Sequence, residues 1–331
     1  MEALFRQLGY DSEVERDWQS LAEPGQRLGR VCRATRRDYT ILGVEDRPVR
    51  VRAPGRMFRD DQAPTVGDWV GVRGDDHGRW VIACVLPRRS AFYRRAAGRV
   101  PLPQVVAANI DTLLIVSGLD GELNLRRLER YLALAWQSGA VPVFVLNKVD
   151  LCADLDDAKA LVSALAADVP LHLVCGKSGD VGEIRQYVAE GRTCALLGSS
   201  GVGKSTLINA LVGEQRMEVG EVREDDRRGR HTTTHRELCL VSDGGVLIDT
   251  PGMRELQLWG DARALDRVFA EIAEVAARCR FGDCRHRDEP NCAVREAVGS
   301  GEIDAARLSS LQELFDEFAE LAEALRQHRN S

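Results

Sequence analysis

Lysine is almost missing from this chain. Its 331 residues hold four lysines (Lys148, Lys159, Lys177 and Lys204) against 41 arginines. Where a cation is needed the sequence usually takes arginine, so the lysines it keeps mark places that want a compact ammonium rather than a planar fork. A second absence is any uninterrupted apolar run of 18 residues, which excludes a transmembrane helix. The opening stretch "MEALFRQLGYDSEVERDW" is charged throughout and has no apolar signal core. A cytoplasmic protein with no membrane partner is therefore expected. Low-complexity segments and internal repeats are also missing. The nine cysteines are an odd number. Cys32, Cys84, Cys152, Cys175, Cys194 and Cys239 lie scattered, mostly in apolar runs, and read as reduced thiols in or near a core. Cys279, Cys284 and Cys292 cluster and need another explanation.

What is present suggests several domains. Hydrophobic residues make up 44% of the chain, enough for a packed core, and its length fits two or three domains. The net charge of −6 hides an asymmetry. Residues 26–100 carry 17 Arg, no Lys and 8 acids, or +9, so the remainder carries −15. A basic segment on an acidic protein points to one surface for a polyanion.

Residues 1–28 read as a polar N-terminal extension with room for one short helix. Over 29–90, five β-like runs ("GRVCRA", "YTILGV", "RPVRVRA", "GDWVGVR", "RWVIACVL") are spaced as in a small closed barrel of the oligonucleotide-binding (OB) type. A loop-like, Arg-rich bridge spans 87–108, with the basic linker proper at 91–108. Its two aromatics suit phosphate contact with some stacking, or a plain exposed linker. From 109 to 258 strands alternate with helices, including expected helices over 155–167 and 181–190. That alternation predicts an α/β domain with a parallel sheet. Residues 259–331 form the last unit. It comprises a helix over 261–278, a Cys/His-rich knot, and a final helix with Leu308, Leu311, Phe315, Phe318, Ala322 and Leu325 on one stripe.

Gly198-Ser199-Ser200-Gly201-Val202-Gly203-Lys204-Ser205, followed by Thr206, matches the phosphate-binding loop pattern in full. It lies between a strand and a helix, the context the motif requires. Its glycines let backbone N–H groups face phosphates, Lys204 reaches the β- and γ-phosphates, and the Ser205 hydroxyl ligates Mg²⁺. "DTPG" adds Asp249 at a strand end, on the Mg²⁺ side, and Gly252 toward the γ-phosphate. "NKVD" supplies Asn147, Lys148, Val149 and Asp150. The Asp150 carboxylate can accept from N1–H and the exocyclic amine of guanine, a pair that adenine lacks. Cys175-Gly176-Lys177 occupies the place where guanine-binding proteins usually have Ser-Ala-Lys, and its backbone N–H serves guanine O6. GTP and GDP are thus the expected substrate and product.

The motif order is unusual. NKVD stands about fifty residues before the phosphate loop rather than after it. Motifs at the carboxyl ends of parallel strands converge in one crevice whatever their order. A circularly permuted P-loop GTPase domain is therefore expected. In the C-terminal knot, Cys279-x₄-Cys284-x-His286-x₅-Cys292 gives three thiolates and an imidazole. Such a closed tetrahedral set suits one structural Zn²⁺.

The permuted order, the barrel before it and the knot after it resemble the RsgA (YjeQ) family of circularly permuted bacterial GTPases. The marks are "NKVD", "LLGSSGVGKSTLINAL", "GRHTTTHRE", "DTPGMREL" and "CRFGDCRH", and the resemblance covers roughly residues 29–295. It implies an OB-type barrel, a permuted GTPase domain and a small helical zinc domain. It also implies GTP hydrolysis coupled to late maturation of the small (30S) ribosomal subunit, with 16S rRNA as a contact and release of the protein on hydrolysis. A monomer is expected. The departures are Cys175-Gly176 in the guanine loop and a barrel without lysine.

Ras-like GTPases place a glutamine just after DxxG to orient the attacking water, and here that position is Met253. His231 is the best candidate for the task, with support from the resemblance. His235 is its rival, and a group supplied by the partner is the third option. One of Thr232, Thr233 and Thr234 is expected to reach Mg²⁺ when GTP is bound. A GTP-using RNA-modifying enzyme finds no additional catalytic constellation here. An RNA-binding scaffold with a silent nucleotide site sits badly with an intact Lys204, Ser205 and Asp249.

Overall fold

In a computed structural model of the chain, the residues described are 1–35, 38–58, 63–75, 77–95, 103–121, 123–213, 236–242, 244–249, 256–259 and 263–329. The N-terminal extension holds two helices rather than one, α1 (Glu2–Gln7) and α2 (Ser12–Leu21). Asp11 separates them because its carboxylate caps α2, accepting from the N–H groups of Glu13 and Val14 at 3.1 and 3.0 Å.

Strands β1 (Arg27–Ala34), β2 (Asp38–Leu42), β3 (Val49–Arg52), β4 (Trp69–Gly74) and β5 (Trp80–Val85) pair in the cycle β1-β2-β3-β5-β4-β1. This is the expected five-stranded barrel, closed by β1 with β4 and by one parallel contact of β3 with β5. Val31, Tyr39, Ile41, Val51, Val70 and Ile82 fill it. Alternation along β3 turns Val49 and Val51 inward and places Arg50 and Arg52, two arginines of the basic segment, on the outer wall.

A register shift between Val31 and Arg33 marks a bulge at Cys32. It bends β1 so that its first half closes the barrel while Arg33 and Ala34 pair with a strand of the next domain. Residues 87–108, expected to be loop-like, instead contain an antiparallel ribbon, β6 (Ala91–Arg95) with β7 (Pro103–Ala108). Its anchors are buried Phe92, Val106, Ala107 and Ala108. Phe92 is therefore a core residue and not an aromatic offered for stacking.

The second domain contains β8 (Thr112–Gly118), α3 (Leu125–Ser138), β9 (Val141–Asn147), α4 (Leu155–Ser163), β10 (Leu171–Val174), β11 (Thr193–Leu197), α5 (Lys204–Val212), β12 (Arg236–Leu240) and β13 (Val246–Asp249). The sheet runs β10-β9-β8-β11-β13-β12, parallel except for β12. Strands β8, β9 and β11 are near-continuously buried, as their unbroken apolar runs require. Two corrections apply to the helices. Residues 182–188 form a 3₁₀ helix, with Val181, Ile184 and Val188 buried, and α4 stops at Ser163. Because β12 pairs with β1, the barrel and this domain share one 11-stranded sheet.

Arg30 rivets the junction. Its fully buried guanidinium donates from Nε to the Gly67 carbonyl (3.0 Å), from Nη1 to Thr193 Oγ1 (2.8 Å) and the Leu8 carbonyl, and from Nη2 to the Asn109 carbonyl (3.0 Å). Burial pulls its pKa down to about 10, still charged at neutral pH.

The C-terminal unit holds α6 (Arg263–Val268), α7 (Ala270–Ala276), α8 (Ala293–Ser300) and α9 (Ala305–Arg329). The single helix expected over 261–278 breaks at Phe269, whose ring is buried and whose backbone (φ −118°, ψ 51°) leaves the helical region. On α9 the buried apolar residues among those described are Leu308, Leu311, Leu314 and Phe318, with Phe315 half-buried. Leu314 was missing from the expected stripe, and the side chains of Ala322 and Leu325 lie outside the described residues.

Candidate functional site

Five parallel strands end on one edge of the sheet, and four of those ends carry motif residues. Strand β11 runs into the phosphate loop, which turns into α5 at Gly203. Gly203 has φ +94°, and a Cβ there would lie 2.3 Å from Asn147 Nδ2. Only glycine serves a position with that backbone and that neighbour. Gly198 is similarly confined, because a Cβ would stand 2.3 Å from the Val116 carbonyl oxygen. The Lys204 ammonium donates to the carbonyls of Gly198 (2.8 Å) and Ser199 (2.6 Å), so it lies over the loop it serves. Ser205 and Thr206 are exposed on the first turn of α5, and Asp249 ends the adjoining strand β13.

The end of β9 carries the NKVD residues. Asn147 is buried and works as a clamp. Its Nδ2 donates to the Val202 carbonyl (2.8 Å) and its Oδ1 accepts from the Gly176 N–H (2.9 Å). One side chain thus ties the phosphate loop to the loop after β10. Lys148 has φ +65°, a left-handed backbone uncommon for a side-chain-bearing residue, and its ammonium pairs with Asp120. That pairing holds the Asp120 carboxyl below its usual range. Val149 and Asp150 open a 3₁₀ turn. The Cys175 thiol donates to Asp150 Oδ1 at 3.3 Å and so braces that carboxylate. Lys177 is exposed beyond it.

Sequence reasoning missed Asp120 and Arg127. Asp120 lies just past β8, where strand order switches from β9 to β11, a place where open α/β sheets bind ligands. Arg127, in the first turn of α3, donates from Nη1 to Ser199 Oγ at 2.7 Å. No short motif flags either residue. His231, Thr232, Thr233, Thr234, His235, Gly252 and Met253 lie outside the described residues.

The second constellation is the knot. Ligand atoms of Cys279, Cys284, His286 and Cys292 lie within 4.8 Å of one another. Cys279 Sγ is 3.9 Å from Cys292 Sγ and 3.7 Å from His286 Nδ1, and the latter is 3.4 Å from Cys292 Sγ. Zn–S bonds near 2.3 Å and Zn–N bonds near 2.0 Å give tetrahedral edges of about 3.8 and 3.5 Å, so the donor set fits zinc in number, type and spacing. Burial would push the Cys279 thiol up, but the N–H groups of Val294 and Ala293 and the neighbouring thiols outweigh it and hold its pKa down. Burial lowers the pKa of His286 and favours the neutral ligand form, while it pushes the Cys284 thiol up to about 12. The Glu289 carboxylate accepts from the N–H groups of Arg285 (2.9 Å) and Arg287 (2.7 Å) and is held at about 2. It shapes the loop in which His286 takes φ +58°.

Comparison with known proteins agrees with this geometry. The RsgA GTPase family profile matches residues 85–259. The small ribosomal subunit biogenesis GTPase RsgA of Opitutus terrae is 42% identical over 93% of this chain and 88% of its own. The protein of the same name from Xanthomonas axonopodis pv. citri is 43% identical over 94% of this chain and 86% of its own. Among solved structures, YjeQ from Thermotoga maritima superposes with a TM-score of 0.65 at 27% identity, over 89% of this chain and 99% of that one. YloQ, described as a circularly permuted GTPase, has the same fold with a TM-score of 0.62 at 23% identity, over 91% and 97%. With the barrel first, the NKVD loop before the phosphate loop and the Cys/His knot last, this chain belongs to the RsgA GTPase family and hydrolyses GTP.

Proposed function

We propose that the protein is a late assembly factor of the small ribosomal subunit, a cytoplasmic monomer that binds 16S rRNA and leaves when GTP is hydrolysed. The names of its relatives support this reading. The structural observation that carries it is the pairing of β12 with β1. β12 closely follows Thr232, Thr233 and Thr234 in the chain, one of which is expected to reach Mg²⁺ when GTP is bound. β1 belongs to a barrel with exposed Arg47, Arg50, Arg52, Arg56, Arg73 and Arg79. Arginines on an OB-type wall suit phosphate contacts, and Phe58, 39% exposed, offers a face for one base. A nucleotide-dependent change at β12 therefore has a hydrogen-bonded route into an RNA-binding surface.

Within the crevice, Asp150 reads guanine, braced by Cys175, while Asn147 holds the two loops in register. A backbone N–H of the Cys175-Gly176-Lys177 loop other than that of Gly176, which Asn147 holds, serves guanine O6, and Lys148, turned by Asp120, lies along the base. Backbone N–H groups of Gly201 through Ser205 and the Lys204 ammonium bind the phosphates. Ser205 and Asp249 would hold Mg²⁺, which when bound neutralises phosphate charge. Thr233 or Thr234 would complete that site, and His231 would position the water. Cys279, Cys284, His286 and Cys292 would hold one structural Zn²⁺, which cross-links the knot.

Co-sedimentation with small ribosomal subunits tests the assignment. With a non-hydrolysable GTP analogue the protein should pellet with the subunit. With GDP it should stay in solution, and raised salt should weaken binding steeply. Equal binding in both nucleotide states would count against release on hydrolysis.

A further inference from the structure

Hydrolysis of GTP builds negative charge on the transferring phosphoryl oxygens and the leaving oxygen, and many GTPases answer it with an arginine beyond the phosphate-loop lysine. Arg127 is placed for that task. Its Nη1 donates to the Ser199 hydroxyl at 2.7 Å, and the carbonyl of the same Ser199 receives the Lys204 ammonium at 2.6 Å. Two cations therefore converge on one residue of the phosphate loop. No carboxylate pairs with Arg127 among the described residues, and four of the five guanidinium N–H groups have no protein partner there.

The helix that carries it is firmly held. Asn124 Oδ1 accepts from the Arg127 backbone N–H at 2.9 Å and caps α3. Arg126 pairs with Glu313 (2.6 Å) and Arg130 with Glu317 (2.7 Å), both on α9. Buried Glu129 accepts from Arg307 (2.7 Å) and from the Ser310 hydroxyl. Arg126, Glu129 and Arg130 thus dock α3 on α9, and Arg127 alone of the four turns to the nucleotide loop. A charged group on a docked helix is positioned better than one on a free loop.

We propose that Arg127 is a catalytic arginine supplied in cis, donating to γ-phosphate oxygens in the GTP-bound state. The water oxygen forms the new bond to the γ-phosphorus. The bond from that phosphorus to the bridging oxygen breaks, its electron pair stays on the β-phosphate of GDP, and the water protons pass to the released phosphate and solvent. Arg127 keeps its own proton throughout and offsets the developing charge. The inference rests on GTP hydrolysis in this crevice and needs no ribosomal partner.

The test is single-turnover GTP hydrolysis by the purified protein in excess over nucleotide, with GDP affinity measured on the same samples. The variants are Arg127→Ala, Arg127→Lys and the remote control Arg16→Ala, at an exposed arginine of α2. Arg127→Ala should slow hydrolysis about 100-fold, the order seen when one donor to a developing oxyanion is removed, with GDP affinity within about twofold of the unsubstituted protein. Arg127→Lys should recover part of the rate, because an ammonium restores charge but not the planar fork. Arg16→Ala should leave both quantities unchanged. A rate for Arg127→Ala within about twofold of the unsubstituted protein would overturn the proposal. So would a parallel loss of GDP affinity and rate, which would make Arg127 only a brace for Ser199. Turnover by the unsubstituted protein is the internal control that separates failure of this inference from failure of the hydrolase reading.

Discussion

The nucleotide crevice and the Cys/His knot are built on opposite plans. The crevice stands on strands buried on both faces, and its loops are tied by the protein's own groups, above all Asn147 between the Val202 carbonyl and the Gly176 N–H. The knot spans 279–292 with almost no apolar interior of its own. Cys292 and His286 are buried, while its one large apolar side chain, Phe281, is 40% exposed. Two of its residues, His286 and Asn291, hold left-handed backbones. The difference shows where each site draws its order: the crevice from the sheet beneath it, the knot from the close approach of Cys279, Cys284, His286 and Cys292.

The largest expected effect follows from that contrast. Stripping metal with a strong chelator, or Cys284→Ser, should cost the knot on the order of 10 kcal/mol of local folding free energy. Hydrogen exchange should then rise across 279–300 while GDP affinity stays within about threefold. Unchanged exchange after chelation, with no zinc released, would break the comparison. Next comes the rivet between barrel and GTPase domain. Arg30→Met takes this donor from the Leu8 and Asn109 carbonyls and Thr193 Oγ1, leaves the Gly67 carbonyl only Asn109 Nδ2, and should cost about 3 kcal/mol in denaturant unfolding.

The crevice should respond to smaller, chemical changes. On the proposal that Asp150 reads guanine, Asp150→Asn should weaken GDP binding by roughly 2 kcal/mol and narrow the gap between GDP and ADP. Undiminished discrimination against ADP would remove Asp150 from the base-reading role. Smallest of the four, Asn147→Ala should cost about 1–2 kcal/mol of stability by orphaning the Gly176 N–H and the Val202 carbonyl. If chelation and Asn147→Ala had equal effects on global melting, the two sites would not differ as described.

Much of this was legible in the sequence where chemistry leaves few choices of residue. A phosphate loop needs its glycines and lysine at fixed spacing, and Gly203 is confined by Asn147 as well as by its own backbone. Unbroken apolar runs marked β8, β9 and β11, and short alternating runs marked the barrel. What stayed hidden depends on partners far away in the chain. Arg30 in a strand reads as a surface residue until Leu8, Gly67, Asn109 and Thr193 surround it. The β6–β7 ribbon was masked by its arginines and prolines, although Phe92 and Val106 anchor it. The break at Phe269 is set by the pocket its ring enters, and the pairing of Lys148 with Asp120 by the meeting of β8 and β9.

GTP turnover tests the central claim most directly. It should be measured for the protein alone, with bare 16S rRNA and with intact small ribosomal subunits, at two salt concentrations. Slow turnover that intact subunits alone accelerate strongly, with an apparent affinity that falls as salt rises, is the expected result. Turnover that no subunit accelerates would leave a GTPase with another partner and contradict the ribosomal assignment.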